Sequence, residues 1–322
     1  MIKNGLAGIL AVHVDDFLWA GSKAFETIIV RIRKMFNVGK EACNSFKYIG
    51  LELSQNDEKI ILSQKDYTGM LKIVSVDKNR EKTSPLSANE QSILRSKVGQ
   101  LLWLSKQSRP DIAFDVTMLA SRLHVSTVED IIKLNKVIRK VQAENVSLNF
   151  YDLGKEVELL LFSDASYGNL TNDGSQGGHT IFLKGSNGKI NPVTWQSKRI
   201  RRIARSTLAS EALALLDGLD CVISIGILLN ELNNKGKSVI PIKCYIDNND
   251  LFQAIHSDKD VSERRLRRDI NCIKELIKNK EIDNVYWIPT NNQLANVLTK
   301  HGASGQNLLG LLSQGMLNFK LD

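Results

Sequence analysis

Three acidic residues in the second half of the chain are spaced so that a folded domain could bring them together. Asp164 and Asp247 each follow an apolar run and are predicted at the ends of two strands, whereas Glu211 lies in the first turns of a long predicted helix. Clustered carboxylates raise one another's pKa unless cations neutralise them. Hard oxygen ligands of this kind suit Mg²⁺ or Mn²⁺. Two such ions about 3.5–4 Å apart could activate a water molecule and stabilise the leaving oxygen in phosphodiester hydrolysis.

Each of these acids also has an ordinary structural explanation. An Asp at the end of a strand commonly caps a turn or a helix, and a Glu in a helix is commonly solvated. Spacing alone therefore does not identify these acids as catalytic, and the residues around each acid are needed to do so.

Six short blocks, in this order along the chain, surround the three acids. They are FSDAS at 162–166, GGHTIF at 177–182, VTWQSK at 193–198, RSTLASEA at 205–212, YIDN at 245–248 and QLANVLTK at 293–300. With these blocks the sequence resembles the ribonuclease H domain of copia-type retrotransposon Pol proteins. The resemblance implies that Asp164, Glu211 and Asp247 bind two Mg²⁺ or Mn²⁺ ions and cleave the RNA strand of an RNA–DNA hybrid.

The last block departs from the family pattern at one position. An Asp normally stands where this chain has Asn296. An amide oxygen can still coordinate Mg²⁺, but it brings no charge. We therefore expect Asn296 to be a fourth metal ligand that binds one of the ions more weakly, without necessarily abolishing activity.

The first half contains an Asp-Asp pair, Asp15 and Asp16, between two apolar runs. The stretch HVDDFLWAG at 13–21 resembles the catalytic hairpin of a copia-type reverse transcriptase palm. Further similar blocks lie at 48–53, 62–67, 96–104 and 108–114. In that family a further palm carboxylate lies upstream of the hairpin, and this sequence starts fourteen residues before Asp15. We therefore expect Asp15 and Asp16 to be a relict pair, without polymerase activity from this chain alone.

Basic residues are concentrated directly before the helix that carries Glu211. This cluster comprises Lys198, Arg199, Arg201, Arg202 and Arg205. We expect it to hold the backbone of the hybrid beside the metal site, and the alternative is a solvated surface. A second basic run, RRLRR at 264–268, is more typical of a solvated helix face. The net charge of +8 and the pI near 9.2 permit a polyanionic partner without identifying one.

Four aromatic or histidine residues in or near these blocks are expected to have structural roles or receive no role. We expect Trp195 and Trp287, in or beside strands, to pack in the core rather than to stack on bases. We also expect His179 to be structural, and His301 receives no role in proton transfer from the sequence.

The elements that must position these residues indicate an α/β (α+β) protein. The strand, turn, strand and helix pattern of 1–76 predicts a partial palm, with strands at 46–53 and 59–62 and a helix at 64–74. Residues 77–150 read as a linker followed by thumb and connection helices at 91–106, 110–123 and 127–145. Residues 151–305 read as a ribonuclease H-like domain, and 306–322 as a C-terminal tail.

The predicted second domain has five strands and several helices. The strands are expected at 157–162, 179–183, 190–196, 240–245 and 284–288, with the long helix at 206–231. Three successive strands followed by alternating helices and strands indicate a mixed five-stranded sheet with flanking helices.

The composition indicates which broad class of protein the chain belongs to. The 322 residues are 43% hydrophobic and 24% charged, which is ordinary for a globular protein with room for two domains. The four cysteines are dispersed, which argues against structural zinc. With no long apolar run and no leader peptide, we expect an intracellular protein, in cytoplasm or nucleus, that has no membrane span and is not secreted.

Two functional hypotheses remain open at this stage. The first is a ribonuclease H attached to a reverse transcriptase remnant, acting on RNA–DNA hybrids and able to contact other nucleic acid. The alternative is a non-catalytic nucleic-acid-binding remnant or a transposon fossil. The oligomeric state does not follow from the sequence.

Overall fold

The structure is a computed structural model, and it describes residues 6–77, 79–170, 173–233 and 239–321. The chain begins with a hairpin of β1 (Gly8–His13) and β2 (Asp16–Gly21), which pair antiparallel along their whole length. Helix α1 (Lys23–Met35) follows and packs on the hairpin through Phe25. This arrangement agrees with the predicted strand, turn, strand and helix.

A four-stranded antiparallel sheet comes next. It has the order β3 (Ser45–Tyr48), β4 (Leu51–Gln55), β5 (Lys59–Ser63) and β6 (Ser147–Tyr151). The prediction of one continuous strand over 46–53 is wrong, because Ile49 and Gly50 both adopt positive φ, 44° and 78°, and turn the chain between β3 and β4. Two successive left-handed residues form the tight turn that the twist of a two-stranded hairpin favours.

Strand β6 was not predicted, and it joins this sheet from about eighty residues farther along the chain. It pairs with β5 from Ser63↔Ser147 to Lys59↔Tyr151. Its residues lie across the position where we expected one domain to end and the next to begin. The pairing is long-range, so no local pattern in the sequence indicates it.

Helix α2 (Lys65–Met70) is shorter than the helix predicted over 64–74. After Met70 the chain is held by Asn135, whose side chain accepts a hydrogen bond from the Val74 amide and donates one to the Val74 carbonyl, both at 2.8 Å. The buried side chain of Asn135 therefore replaces the backbone partners that a continued helix would supply.

Three predicted helices form the middle of the chain. They are α3 (Ala88–Gln107), α4 (Ala113–Ser121), which a 3₁₀ turn at Pro110–Ile112 precedes, and α5 (Val128–Ala143). Capping boxes start α3 at Ser87 and α5 at Thr127. These helices share a core of fully buried aliphatic side chains: Leu94, Val98, Leu101, Leu104, Ile112, Val116, Ile131, Leu134, Ile138 and Val141.

The second half forms a five-stranded mixed sheet with helices packed on it, as predicted. Its strands are β7 (Val157–Leu170), β8 (Gly174–Gly185), β9 (Ile190–Arg199), β10 (Ile242–Ile246) and β11 (Asn284–Trp287). Their order is β11-β10-β7-β8-β9, with β7, β10 and β11 parallel and β8 and β9 antiparallel to their neighbours. The remaining helices are α6 (Thr207–Asn233), α7 (Asn249–His256), α8 (Arg264–Lys278) and α9 (Gln306–Gln314).

Helix α6 is the long helix that the sequence predicted, and it packs on the sheet. Ala212, Leu215, Leu219 and Val222 are buried in the core between α6 and the strands. By length and composition alone, Thr207–Leu232 would also be long enough to cross a membrane. Its buried face against the sheet is what a core helix shows.

The segment 306–322, expected to be a tail, contains helix α9. Leu308, Leu311 and Leu312 are buried in a core that also includes Phe162, Phe182 and Tyr245 of the sheet. Leu317, Phe319 and Leu321 are partly buried against the same core, so the described end of the chain is packed against the five-stranded sheet.

Candidate active site

The three predicted acids come together where the parallel pairing of β7 and β10 ends. Asp247 directly follows β10, as predicted, but the prediction that Asp164 ends a strand is wrong, because β7 continues to Leu170 in antiparallel pairing with β8. One carboxylate oxygen from each of Asp164, Glu211 and Asp247 lies within 4.8 Å of the others. The register of β7 and β10 accounts for this, since Phe162 is paired with Tyr245 and each acid comes two residues later. Residues two apart on a strand share a face, and α6 brings Glu211 to the same place.

Asp164 is the most enclosed of the three. Its side chain is 1% exposed, the Thr299 hydroxyl donates to one carboxylate oxygen, and the Lys300 ammonium lies 3.3 Å from the other. Burial, with a smaller contribution from Asp247, raises the pKa of Asp164 to about 6, although Lys300 and Thr299 oppose the rise. The carboxylate is therefore ionised at neutral pH but holds its charge at a cost.

Glu211 is also buried in the cluster. Burial raises its pKa well above the ordinary value, and the charges of Asp164 and Asp247 raise it further. Its Oε2 atom is buried and has no hydrogen-bond partner among the described residues. A buried carboxylate oxygen without a donor, beside two more carboxylates, fits a divalent cation that takes oxygen ligands.

Asn296 lies close to the cluster but engages other groups. Its amide oxygen accepts a hydrogen bond from Lys300 Nζ at 2.7 Å, and its amide nitrogen donates to the Thr290 carbonyl at 3.0 Å. Metal binding by Asn296 therefore remains a prediction. Sequence reasoning missed Thr299 and Lys300 as site residues, although both lie in the block 293–300 that it singled out.

The basic cluster before α6 is divided between paired and outward-facing side chains. Lys198 forms an ion pair with Asp217, and both guanidinium nitrogens of Arg202 lie 3.0 Å from Asp269 of α8. Arg199 packs against Gly174. The side chains of Arg201 and Arg205 are exposed in the segment that leads into α6. Two of the five predicted nucleic-acid ligands are thus engaged in intramolecular ion pairs.

The two tryptophans of the predicted strands differ in burial. Trp195 is partly buried, and its indole N–H donates to the Ser105 carbonyl at 2.7 Å, which joins β9 to α3. The expectation of core packing is wrong for Trp287, which is 46% exposed on the edge strand β11. Its indole N–H donates to the backbone carbonyl of Asp247 at 3.0 Å. An edge strand has one uncovered side, and the local pattern of residues does not identify it.

The two histidines lie in different environments. His179 is buried, as expected, and its Nδ1 lies 3.5 Å from the Asp217 carboxylate. His301 is exposed and its Nδ1 lies 2.8 Å from the Asp115 carboxylate of α4. Both therefore have structural partners.

The Asp-Asp pair of the first half lies at the tip of the β1–β2 hairpin. Asp15 and Asp16 are both exposed. Across the described ranges, Asp164, Glu211 and Asp247 are the one group of three or more acidic, histidine or cysteine side chains close enough to share a metal ion. Asp15 and Asp16 have no third described acid beside them.

Comparison with known proteins places the sequence among transposon proteins. No family model matches the chain. The transposon Ty5-1 protein of Saccharomyces cerevisiae is 26% identical over 60% of this chain and 67% of its own length. The retrovirus-related Pol polyprotein from transposon RE2 of Arabidopsis thaliana is 24% identical over 90% of this chain. The chain spans only a fifth of that polyprotein's length.

A solved structure supports the same relationship at the level of the fold. The foamy viral protease-reverse transcriptase, determined in complex with an RNA/DNA hybrid, covers 92% of this chain with a TM-score of 0.50 and 13% identity. The match takes up 37% of the viral chain. The homologues of this chain are thus Pol polyproteins of Ty5/copia-type retrotransposons, and the resemblance seen in the sequence is confirmed.

Proposed function

We propose that this chain hydrolyses the RNA strand of RNA–DNA hybrids in a reaction that depends on divalent cations. The observation that carries the proposal is the convergence of Asp164, Glu211 and Asp247, from two parallel strands and a helix, within 4.8 Å. Such a cluster is costly for stability by itself and is suited to cation binding.

The chain's own residues would bind the cations and prepare the site. Asp164, Glu211 and Asp247 hold the ligand oxygens. Burial and the other two acids raise the pKa of Glu211, so its ionised form is the one that cation binding would stabilise, in place of the proton. Thr299 orients the Asp164 carboxylate through its hydroxyl. Bound divalent cations supply the chemistry of water activation and of charge stabilisation at the leaving oxygen.

The exposed basic surface before α6 supports nucleic acid as the substrate class. Arg201 and Arg205 are exposed in the segment that leads directly into the helix of Glu211. Arginine side chains in this position would contact phosphate groups and fix the register of the duplex without reading its sequence. The proposal therefore includes weak or absent sequence preference.

A cleavage assay tests this function. The full chain is incubated with an end-labelled RNA–DNA hybrid and with Mg²⁺ or Mn²⁺, beside the Asp164→Asn variant and a sample with EDTA. We expect cleavage of the RNA strand by the wild type alone, and only with the cation present. Equal cleavage by wild type and Asp164→Asn would show that another nuclease is responsible.

A second candidate is a protein that binds nucleic acid without cutting it. The contacts of Lys300 with Asp164 and Asn296 favour it, because an ammonium group at the cluster competes with cations for these oxygens. Gel-shift of the hybrid by wild type and by Asp164→Asn, without cleavage by either, would support this candidate instead.

We further propose that the Asp15–Asp16 hairpin does not make this chain a polymerase. The two acids are exposed at a hairpin tip, and the described part of the chain brings no third carboxylate to them. A primer-extension assay on an RNA template tests this proposal. Incorporation by wild type that is lost in Asp15→Asn would contradict it.

A further inference from the structure

Lys300 reaches the acidic cluster from its solvent side. Its Nζ lies 2.7 Å from the amide oxygen of Asn296 and 3.3 Å from Oδ1 of Asp164. The lysine side chain is 40% exposed, whereas that of Asp164 is 1% exposed. The ammonium therefore covers a buried carboxylate and a neutral oxygen ligand at the same time.

The formal charges of the clustered side chains indicate how much positive charge a bound cation must supply to neutralise them. Three clustered carboxylates, when ionised, carry a formal charge of −3, and the Lys300 ammonium in contact with one of them adds +1. The remaining −2 equals the charge of one divalent cation. Charge balance in a buried cluster matters because uncompensated charge is costly away from water.

The contacts within the cluster are asymmetric. On one side, the Thr299 hydroxyl and the Lys300 ammonium both donate to Asp164, and Lys300 also engages Asn296. On the other side, Glu211 Oε2 is buried without a donor in the part of the chain that the structure describes. Glu211 Oε2 is therefore a buried ligand oxygen that no described donor occupies, whereas both oxygens of Asp164 already accept from donors.

We propose that the Lys300 ammonium serves in place of one of the two cations, so that this site binds a single divalent cation. Asp164, Glu211 and Asp247 hold that cation. The amide oxygen of Asn296 accepts a hydrogen bond from Lys300 and does not coordinate a metal. The inference rests on the proposed cation-dependent function. It differs from the expectation, drawn from the sequence, that Asn296 coordinates a second ion.

Counting bound Mn²⁺ tests the inference without any measurement of cleavage. The full chain is titrated with Mn²⁺, and the free ion is quantified by electron paramagnetic resonance. The variants are Lys300→Met, which keeps the length of the side chain and removes its charge, and Lys136→Met, a matched control at an exposed position of α5. Asp164→Asn serves as the negative control for the site.

We expect one Mn²⁺ per chain in wild type and in Lys136→Met, and two in Lys300→Met. The first ion should also bind at least about tenfold more tightly in Lys300→Met, because a positive charge beside it is gone. Two ions in wild type, or one ion at unchanged affinity in folded Lys300→Met, would overturn the inference. A wild-type count of two overturns the inference even if Lys300→Met does not fold.

The Mn²⁺ count and the cleavage assay together distinguish failure of this inference from failure of the proposed function. A wild-type chain that binds no Mn²⁺ would overturn both. A chain that binds two ions and cleaves the hybrid would keep the nuclease function and overturn the role of Lys300. A chain that binds one ion and does not cleave would support the role of Lys300 and count against the nuclease.

Discussion

The rings of Phe162 and Tyr245 are stacked, with centroids 5.0 Å apart and planes inclined by 22°. These two residues are register partners on the parallel strands β7 and β10. Each lies two positions before a carboxylate of the candidate site, Asp164 after the first and Asp247 after the second. The aromatic pair thus lies two residues before the site on each strand, and its burial anchors both strands in the core there.

Removal of this packing should destabilise the whole sheet. Phe162→Ala deletes a fully buried ring that also contacts Phe182 edge-on. We expect a loss of about 3–5 kcal/mol in the free energy of unfolding, as for other large cavities in cores. Urea denaturation followed by circular dichroism measures it.

Phe36→Ala provides the matched control, because Phe36 is 56% exposed at the end of α1. Its expected cost is within about 0.5 kcal/mol, as for most surface positions. Similar costs for the two variants would mean that Phe162 does not anchor the sheet.

Stability without divalent cations should fall as the pH rises through the titration of Asp164. Its folded pKa of about 6 lies above the ordinary value of 3.8, so between these values the folded chain binds more protons than the unfolded chain. The free energy of unfolding then decreases with pH in this range. The raised pKa of Glu211 acts in the same direction.

The comparison of wild type with Asp164→Asn measures this contribution together with the part that the Asp164 charge adds to the raised pKa of Glu211. Acids with lowered pKa values, such as Asp111 and Asp217, act in the opposite direction and are common to both proteins. Thermal unfolding in EDTA from pH 4 to pH 7.5 should show a gain of Asp164→Asn over wild type that grows with pH. A difference that is independent of pH would contradict the raised pKa.

Hybrid binding should depend on the outward-facing arginines more than on the paired basic residues. Arg201→Ala and Arg205→Ala should each weaken binding and lower the slope of log affinity against log salt by about one. Fluorescence anisotropy with the Asp164→Asn protein, which should not cut the probe, measures both quantities at several salt concentrations.

Arg139→Ala is the matched control, since Arg139 is exposed on α5. We expect its salt slope to equal that of the parent protein. If Arg201→Ala and Arg205→Ala behave like this control, the segment before α6 does not contact the hybrid.

The two hydrogen bonds of Asn135 should contribute more to the free energy of unfolding than two exposed hydrogen bonds would, because their partners on Val74 are buried. Asn135→Ala leaves the amide and the carbonyl of Val74 buried without partners. We expect a cost of about 2–6 kcal/mol in the free energy of unfolding, since each unsatisfied buried group costs about 1–3 kcal/mol. Equilibrium unfolding of wild type and Asn135→Ala measures this cost. An alanine variant as stable as wild type would show that Asn135 does not hold this segment.

Local patterns predicted most of the elements because their cause is local. Helices α3, α5 and α6 follow from apolar residues three and four apart. The strands of the second half follow from apolar runs, although the extension of β7 beyond Asp164 depends on its pairing with β8. The short strands β3 and β4 were predicted as one strand, since Ile49 favours strands and the sequence does not indicate its positive φ.

The sequence by itself determined which acids form the cluster, because six blocks in order surround Asp164, Glu211 and Asp247. The tertiary structure alone decided what surrounds them. It placed Lys300 on Asp164, left Trp287 on an open edge and paired β6 with β5. These contacts join residues far apart in the chain, so they depend on how the elements pack and not on any periodicity within one of them.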